Sequence, residues 1–122
     1  MRAIVRGKAS RPTDGDPEKG GLPGPYGLHR HSLGWVCARE DDRLVGFVDV
    51  AWDGGVHAFV LDTVVAQRNR SHGVGAALVR AAADGSRAAG REWLHVDFEE
   101  HLRSFYFEVC GFKETAAGLI AL

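Results

Sequence analysis

Arg68, Arg70, Gly73 and Gly75 stand within eight residues of one another in "LDTVVAQRNRSHGVGAALV", at the point where an apolar strand-like run gives way to a helical period. The first amides of a helix have no partner in its own ladder, so a strand that feeds a Gly-spaced turn and then a helix turns several N–H groups outward together. Such a site attracts an anion. Glycine lets a phosphate come close to the backbone, and Arg70 can add a charge-assisted contact to the same oxygens. The alternative is that Gly73 is a turn residue and the arginines are solvated. On this stretch alone both readings stand.

Known phosphate-binding patterns narrow the choice. No Gly-Lys-Ser/Thr follows the glycines, so the triphosphate P-loop is absent, and a third glycine with a later acidic strand end, as in dinucleotide-binding folds, is also missing. His29, His31, His57, His72, His95 and His101 show no compact ligand spacing beyond His29-x-His31, and no metal site is expected.

The elements that must carry these residues can be read from the pattern. The chain has 122 residues, 45% of them hydrophobic and 25% charged, which suits one domain over 1–122. All four prolines fall between Pro12 and Pro25, mixed with Gly15, Gly20, Gly21, Gly24 and, just beyond, Gly27, so 8–28 reads as an irregular loop or arm. "MRAIVR" reads as a short strand. "GWVCARE" and "LVGFVDVAW", joined at "DDR", form a hairpin, and "HAFVLDTVVA" is a third, central strand after the turn "DGG". A helix over 74–89 follows, stopped by Gly90, then the strand "EWLHVDF". The helix "HLRSFYFEVC", with Leu102, Phe105, Tyr106 and Val109 on one side, ends at Gly111, and "FKETAAGLIAL" supplies one or two last strands. This order predicts an α/β, layered α+β domain: a mixed sheet with helices on its faces.

Charge and composition bound the partners. A net charge of −1 lacks the basic excess of a general nucleic-acid or membrane-surface binder. No apolar run approaches a bilayer span and the start lacks a secretory signal's apolar stretch, so a cytoplasmic protein is expected. Cys37 and Cys110 read as reduced core residues.

The segment "LDTVVAQRNRSHGVGAALV" resembles the acetyl-CoA-binding element of the GNAT acetyltransferase superfamily, in which a strand, Arg/Gln-x-x-Gly-x-Gly/Ala and a helix follow one another; Arg70, Gly73 and Gly75 meet that pattern. "FYFEVCGF" resembles the superfamily's later helix carrying Phe-Tyr and ending in Gly-Phe. The resemblance covers roughly 34–122. It departs at the N-terminal side, where the family has two helices and this chain has its Pro/Gly-rich arm. A mostly antiparallel sheet of about six or seven strands with one splayed parallel pair is what the resemblance implies.

It also implies a cofactor and roles. The cofactor is acetyl-CoA, without a metal. The main chain of Thr63, Val64 and Val65 would pair with the pantetheine arm, and Arg70, Ser71, His72, Gly73, Val74, Gly75 and Ala76 would hold the pyrophosphate. A backbone N–H near Val64 or Val65 would polarise the thioester oxygen. A primary amine with a pKa of about 10 must lose a proton before it attacks. Tyr106 matches the family's acid for the departing thiolate. His95 matches the place where some relatives carry a glutamate base, and Asp97, two residues on, could orient the histidine or bind the ammonium. Asp62 and His57 are further substrate candidates, whereas Glu99 and Glu100 suit a first helical turn by its dipole alone.

The expected activity is N-acetyl transfer to a primary amine of a small molecule or peptide by direct attack on the thioester. A non-catalytic acyl-CoA-binding module is the alternative, and an interaction domain with purely structural glycines would bind no CoA. Without the two N-terminal helices an apolar sheet face would be bare, and a homodimer covering it is expected.

Overall fold

The computed structural model describes residues 2–8, 32–70 and 72–122. The arm predicted over 8–28 lies outside the described residues apart from Lys8, as do His29, His31 and Ser71.

Five strands form one sheet in the order β1-β2-β3-β4-β5: β1 (Arg2–Lys8), β2 (Ser32–Glu40), β3 (Arg43–Trp52), β4 (His57–Val65) and β5 (Trp93–Val96). The first three pairings are antiparallel and the last, β4 with β5, is parallel. A parallel pair needs a crossover, and α1 (Val74–Ala88) supplies it. The mixed, mostly antiparallel sheet thus agrees with the sequence reading. The strand count does not: there are five strands rather than six or seven, because no strand forms beyond Val96 among the described residues. The tail 113–122 is exposed throughout, so its apolar residues have no sheet face to bury against.

Local chemistry explains the joints. Asp41 and Asp42 both take positive φ, 49° and 63°, between the paired residues Glu40 and Arg43; two left-handed residues make the turn whose twist suits a hairpin. At the next turn Asp53 Oδ1 accepts from Gly55 N at 2.7 Å while Gly54 takes φ 84°.

α1 covers one face of the sheet. Val74, Leu78, Ala81 and Ala82 pack with Val36, Ala38, Val48, Val50, Ala58 and Val60, and Leu94, Val96 and Phe112 complete this core. Gly46 lets the helix settle: a Cβ there would lie 2.8 Å from Leu78 Cδ1 and 3.0 Å from Val74 Cγ1.

The second predicted helix is irregular. A 3₁₀ turn (Glu100–Leu102) runs into a wide π-type turn (Phe105–Val109), closed by Cys110 N donating to Phe105 O at 2.9 Å. The extra residue in that turn shifts its register, so Tyr106 is buried while Val109 and Leu102 are exposed; the one-sided apolar face expected of Leu102, Phe105, Tyr106 and Val109 is not formed. Cys37 and Cys110 are free thiols, each partly buried, and burial pushes both above the usual thiol range.

Candidate functional site

The site is built where β4 outruns its neighbour. β5 pairs with β4 from His57 to Val60 only, ending at Val60 opposite Val96, yet β4 continues to Val65. Along Leu61–Val65 the edge turned from β3 has no strand beside it among the described residues, so no strand there pairs its outward N–H and C=O groups, which can serve a ligand. β4 is central, as its apolar pattern predicts, but it is not covered on both faces: Phe59, Leu61 and Val64 are exposed.

A bulge sits at the mouth of the opening. β3 advances from Val48 to Val50 while β4 retreats from Thr63 to Val60, so β4 carries one extra residue at Leu61 and Asp62. The bulge reverses the strand's alternation. Ala58 and Val60 face α1 before it, and Val65 faces α1 after it, its Cγ2 lying 3.8 Å from where a Cβ on Gly75 would be. Thr63 Oγ1 is buried without a hydrogen-bond partner. The Asp62 side chain lies outside the described ones.

From Val65 the chain enters a 3₁₀ turn (Gln67–Asn69) and then the start of α1. Asn69, buried between the arginines, holds this turn: its Nδ2 donates to Glu40 Oε2 at 3.2 Å and its Oδ1 accepts from Arg68 Nε at 3.3 Å. Sequence reading missed Asn69 because its partner stands 29 positions away. Arg70 is exposed, and its Nε donates to the Val65 carbonyl at 3.5 Å, which ties the guanidinium to the end of β4.

The two glycines have different jobs. Gly73 is the residue before the helix and takes φ 79°, with nothing within 4 Å of a Cβ built on it, so backbone conformation is what requires glycine. Gly75 is wanted for space, but the space is filled from within: a Cβ there would lie 3.2 Å from Phe105 Cζ. The first turn of α1 has no acidic residue, and Val74, Gly75 and Ala76 carry its unpaired amides; Ala77 N is the first to donate back, to Gly73 O. A helix start with free amides, no carboxylate and Arg70 alongside can hold a phosphate. His72 is exposed at the same turn.

The candidate catalytic residues lie on other elements. Tyr106 is 6% exposed, its ring stacked on Phe98 at 4.9 Å and edge-on to Phe105 and Phe112. Through Phe105 this aromatic group touches the first turn of α1, so the helix start and Tyr106 share a wall.

His95 lies on β5 directly across from Phe59, which stacks on its ring at 5.0 Å. Its ring partner is His57, with Nδ1 of His57 2.7 Å from Nε2 of His95. Asp97, expected to share the strand with His95, falls one residue beyond the end of β5 and is exposed, so it is not the group that holds the imidazole. The strand is shorter than "EWLHVDF" because β4 bends away at the bulge and leaves Asp97 and Phe98 nothing to pair with.

A groove of about 750 Å³ runs between the second half of α1, β5 and the segment after the π-type turn, bordered by Arg80, Asp84, Leu94, Cys110 and Phe112; of the predicted site residues only His95 reaches it. Among the described residues no three His, Cys, Asp or Glu side chains converge as metal ligands, and no helix is long and apolar enough to cross a membrane.

Known proteins resemble this chain in sequence and in fold. Residues 9–112 match the acetyltransferase (GNAT) family. Mycothiol acetyltransferase of Nocardia farcinica (strain IFM 10152) is 35% identical over 74 residues, 61% of this chain and 23% of that protein, so the chain spans about a quarter of this curated relative. A GNAT-family acetyltransferase from Streptococcus pneumoniae TIGR4 superposes over 100% of this chain and 98% of its own with a TM-score of 0.74 at 21% identity. An aminoglycoside N-acetyltransferase solved in complex with CoA covers 100% of this chain and 94% of its own, with a TM-score of 0.68 at 17% identity. At those identities the structures speak for the fold, while the family match spans most of the sequence: the chain belongs to the acetyltransferase (GNAT) family.

Proposed function

We propose that the chain is an acetyl-CoA-dependent N-acetyltransferase acting on a primary amine of a small molecule or peptide by direct attack. The observation that supports this most is the run of β4 past its last pairing with β5 into the acid-free start of α1. An open strand edge suits an amide-bearing arm, and a helix start with an arginine suits a pyrophosphate, so the residues present fit acetyl-CoA. Family membership, a relative named for acetyl transfer and a neighbour solved with CoA agree with it.

When bound, acetyl-CoA supplies an activated thioester. In this reading the main chain of Thr63, Val64 and Val65 holds the pantetheine arm, and an amide near Val64 or Val65 donates to the thioester oxygen as charge develops there. Arg70, Ser71, His72, Gly73, Val74, Gly75 and Ala76 hold the pyrophosphate. His95 takes the proton of the incoming ammonium, and Tyr106 gives one to the departing sulfur. Asp97, exposed just past the end of β5, favours a cation there. An acceptor with a protonated amine fits this set better than an anionic one.

Calorimetry with acetyl-CoA tests the reading, comparing wild type with an Arg70→Ala/Gly73→Glu double variant. Micromolar binding that the variant loses is the expected result. Absence of binding by wild type would overturn it, and binding without transfer to any amine would leave an acyl-CoA-binding module.

A further inference from the structure

We propose that His57 and His95 act as one unit, a two-ring relay that carries the proton of the acceptor amine from the site to solvent. The inference rests on the acetyltransferase reading and adds to it a second residue with a stated role. His57 is paired with Trp93 in the parallel ladder and Phe59 with His95, so the two histidines are diagonal neighbours on the sheet face turned from α1. Their contact is 2.7 Å between Nδ1 of His57 and Nε2 of His95, with ring centroids 5.0 Å apart.

Two imidazole nitrogens at that distance must share one proton. Two lone pairs would repel, and two N–H groups would collide. One ring therefore donates to the other, which ties their tautomers together and makes a second bridging proton unfavourable. The contact uses one nitrogen of each ring, leaving His95 Nδ1 and His57 Nε2 for partners outside the pair. Phe59 stacked on His95 and the Asp53 carboxylate accepting from the His57 backbone N–H hold the two rings in register.

The transfer balances without a further reagent. An N–H bond of the ammonium breaks, its electron pair stays on nitrogen, and the proton forms a bond to His95 Nδ1. The His95 Nε2–H bond breaks as its proton joins His57 Nδ1, and the proton on His57 Nε2 passes to water. Exchange with solvent at the two outer nitrogens resets the pair. A lone base covered by its substrate has no such exit, and the second ring supplies one. The carboxylates on the elements around the pair are Asp53 at the preceding turn, Asp49 on β3 and Asp97 beyond β5.

Acetylation of a small primary amine is measured for wild type, His57→Gln, His95→Gln and His57→Ala with and without added imidazole, across pH and in mixtures of light and heavy water. The relay predicts that His57→Gln, which keeps a hydrogen-bonding group, loses roughly tenfold or more in kcat at nearly constant acetyl-CoA KM. It also predicts that the rate becomes linear rather than curved in deuterium fraction, and that imidazole restores His57→Ala. If His57→Gln keeps the wild-type kcat, pH profile and curvature while His95→Gln is impaired, the relay is overturned and His95 stands alone as the base. If wild type acetylates no amine, the enzymatic reading falls and the relay with it. Nitrogen-15 spectra of the wild-type rings give a readout apart from activity: complementary tautomers titrating as a coupled pair support the proposal, and independent titration overturns it.

Discussion

The Leu78 side chain lies on the bare backbone of Gly46, so close that a single added carbon on the strand would meet Leu78 Cδ1 at 2.8 Å. Leu78 is fully buried, and Val74 Cγ1 at 3.0 Å and the Val64 carbonyl at 3.3 Å close the other directions. Gly46→Ala must therefore lift the first turns of α1 from the sheet. We expect a loss of about 1–3 kcal/mol in urea unfolding, in the range of overpacked cores, together with weaker acetyl-CoA binding because the helix start moves. An unchanged unfolding midpoint would show that the core yields more easily than its packing implies.

Gly75 tests geometry apart from stability. Alanine is favoured over glycine inside a helix by about 1 kcal/mol, while a Cβ at 3.2 Å from Phe105 Cζ asks that ring to yield by a few tenths of an ångström. The two effects nearly cancel, so Gly75→Ala is expected to melt within a few degrees of wild type. Turnover is expected to fall about threefold to tenfold, since Phe105 carries Tyr106 with it. A variant that melts and turns over like wild type would mean that the aromatic wall does not set the Tyr106 position.

Asp53 gives a pH dependence with a definite sign. The Gly55 N–H, first, holds its carboxyl below the usual range against the opposing effect of burial, and His57, chiefly through its backbone N–H, adds a smaller lowering. A depressed folded value means that the turn is stabilised above the ordinary carboxylate pKa of about 3.9 and loses that stabilisation as pH falls through the lowered value. Asp53→Asn keeps an oxygen acceptor but cannot titrate. The gap in melting temperature between wild type and Asp53→Asn is thus expected to be largest near neutral pH and to close in acid. A gap that stays constant down to about pH 3 would sink the assignment.

How much of this was legible in the sequence depends on the range of the interaction. The turn into α1 was readable because Arg70, Gly73 and the apolar period of α1 are local signals, and the hairpin was readable from alternation around Asp41 and Asp42. The parallel pair was implied by the family resemblance, and α1 is the crossover it needs. What stayed hidden depends on contacts across the fold: Asn69 with Glu40, Gly46 beneath Leu78, Phe105 in the space at Gly75, and His57 against His95. His57 and His95 were both named as candidates, but only the strand register made them neighbours. The tail misled because "FKETAAGLIAL" ends in apolar residues that could have joined a sheet, and apolar residues alone do not supply an edge to pair with.

Tyr106 is where packing and chemistry can be separated by one oxygen. Its ring is clamped by Phe98, Phe105 and Phe112, contacts that phenylalanine reproduces, so Tyr106→Phe is expected to keep the wild-type melting temperature and acetyl-CoA affinity. If its hydroxyl protonates the departing thiolate, kcat should fall about 100-fold or more, the ordinary scale for loss of a general acid. Equal turnover would assign Tyr106 to the aromatic core alone. The thiolate would then take its proton from solvent, and the kinetic effect of the site would rest on the amide at the end of β4 and on His95.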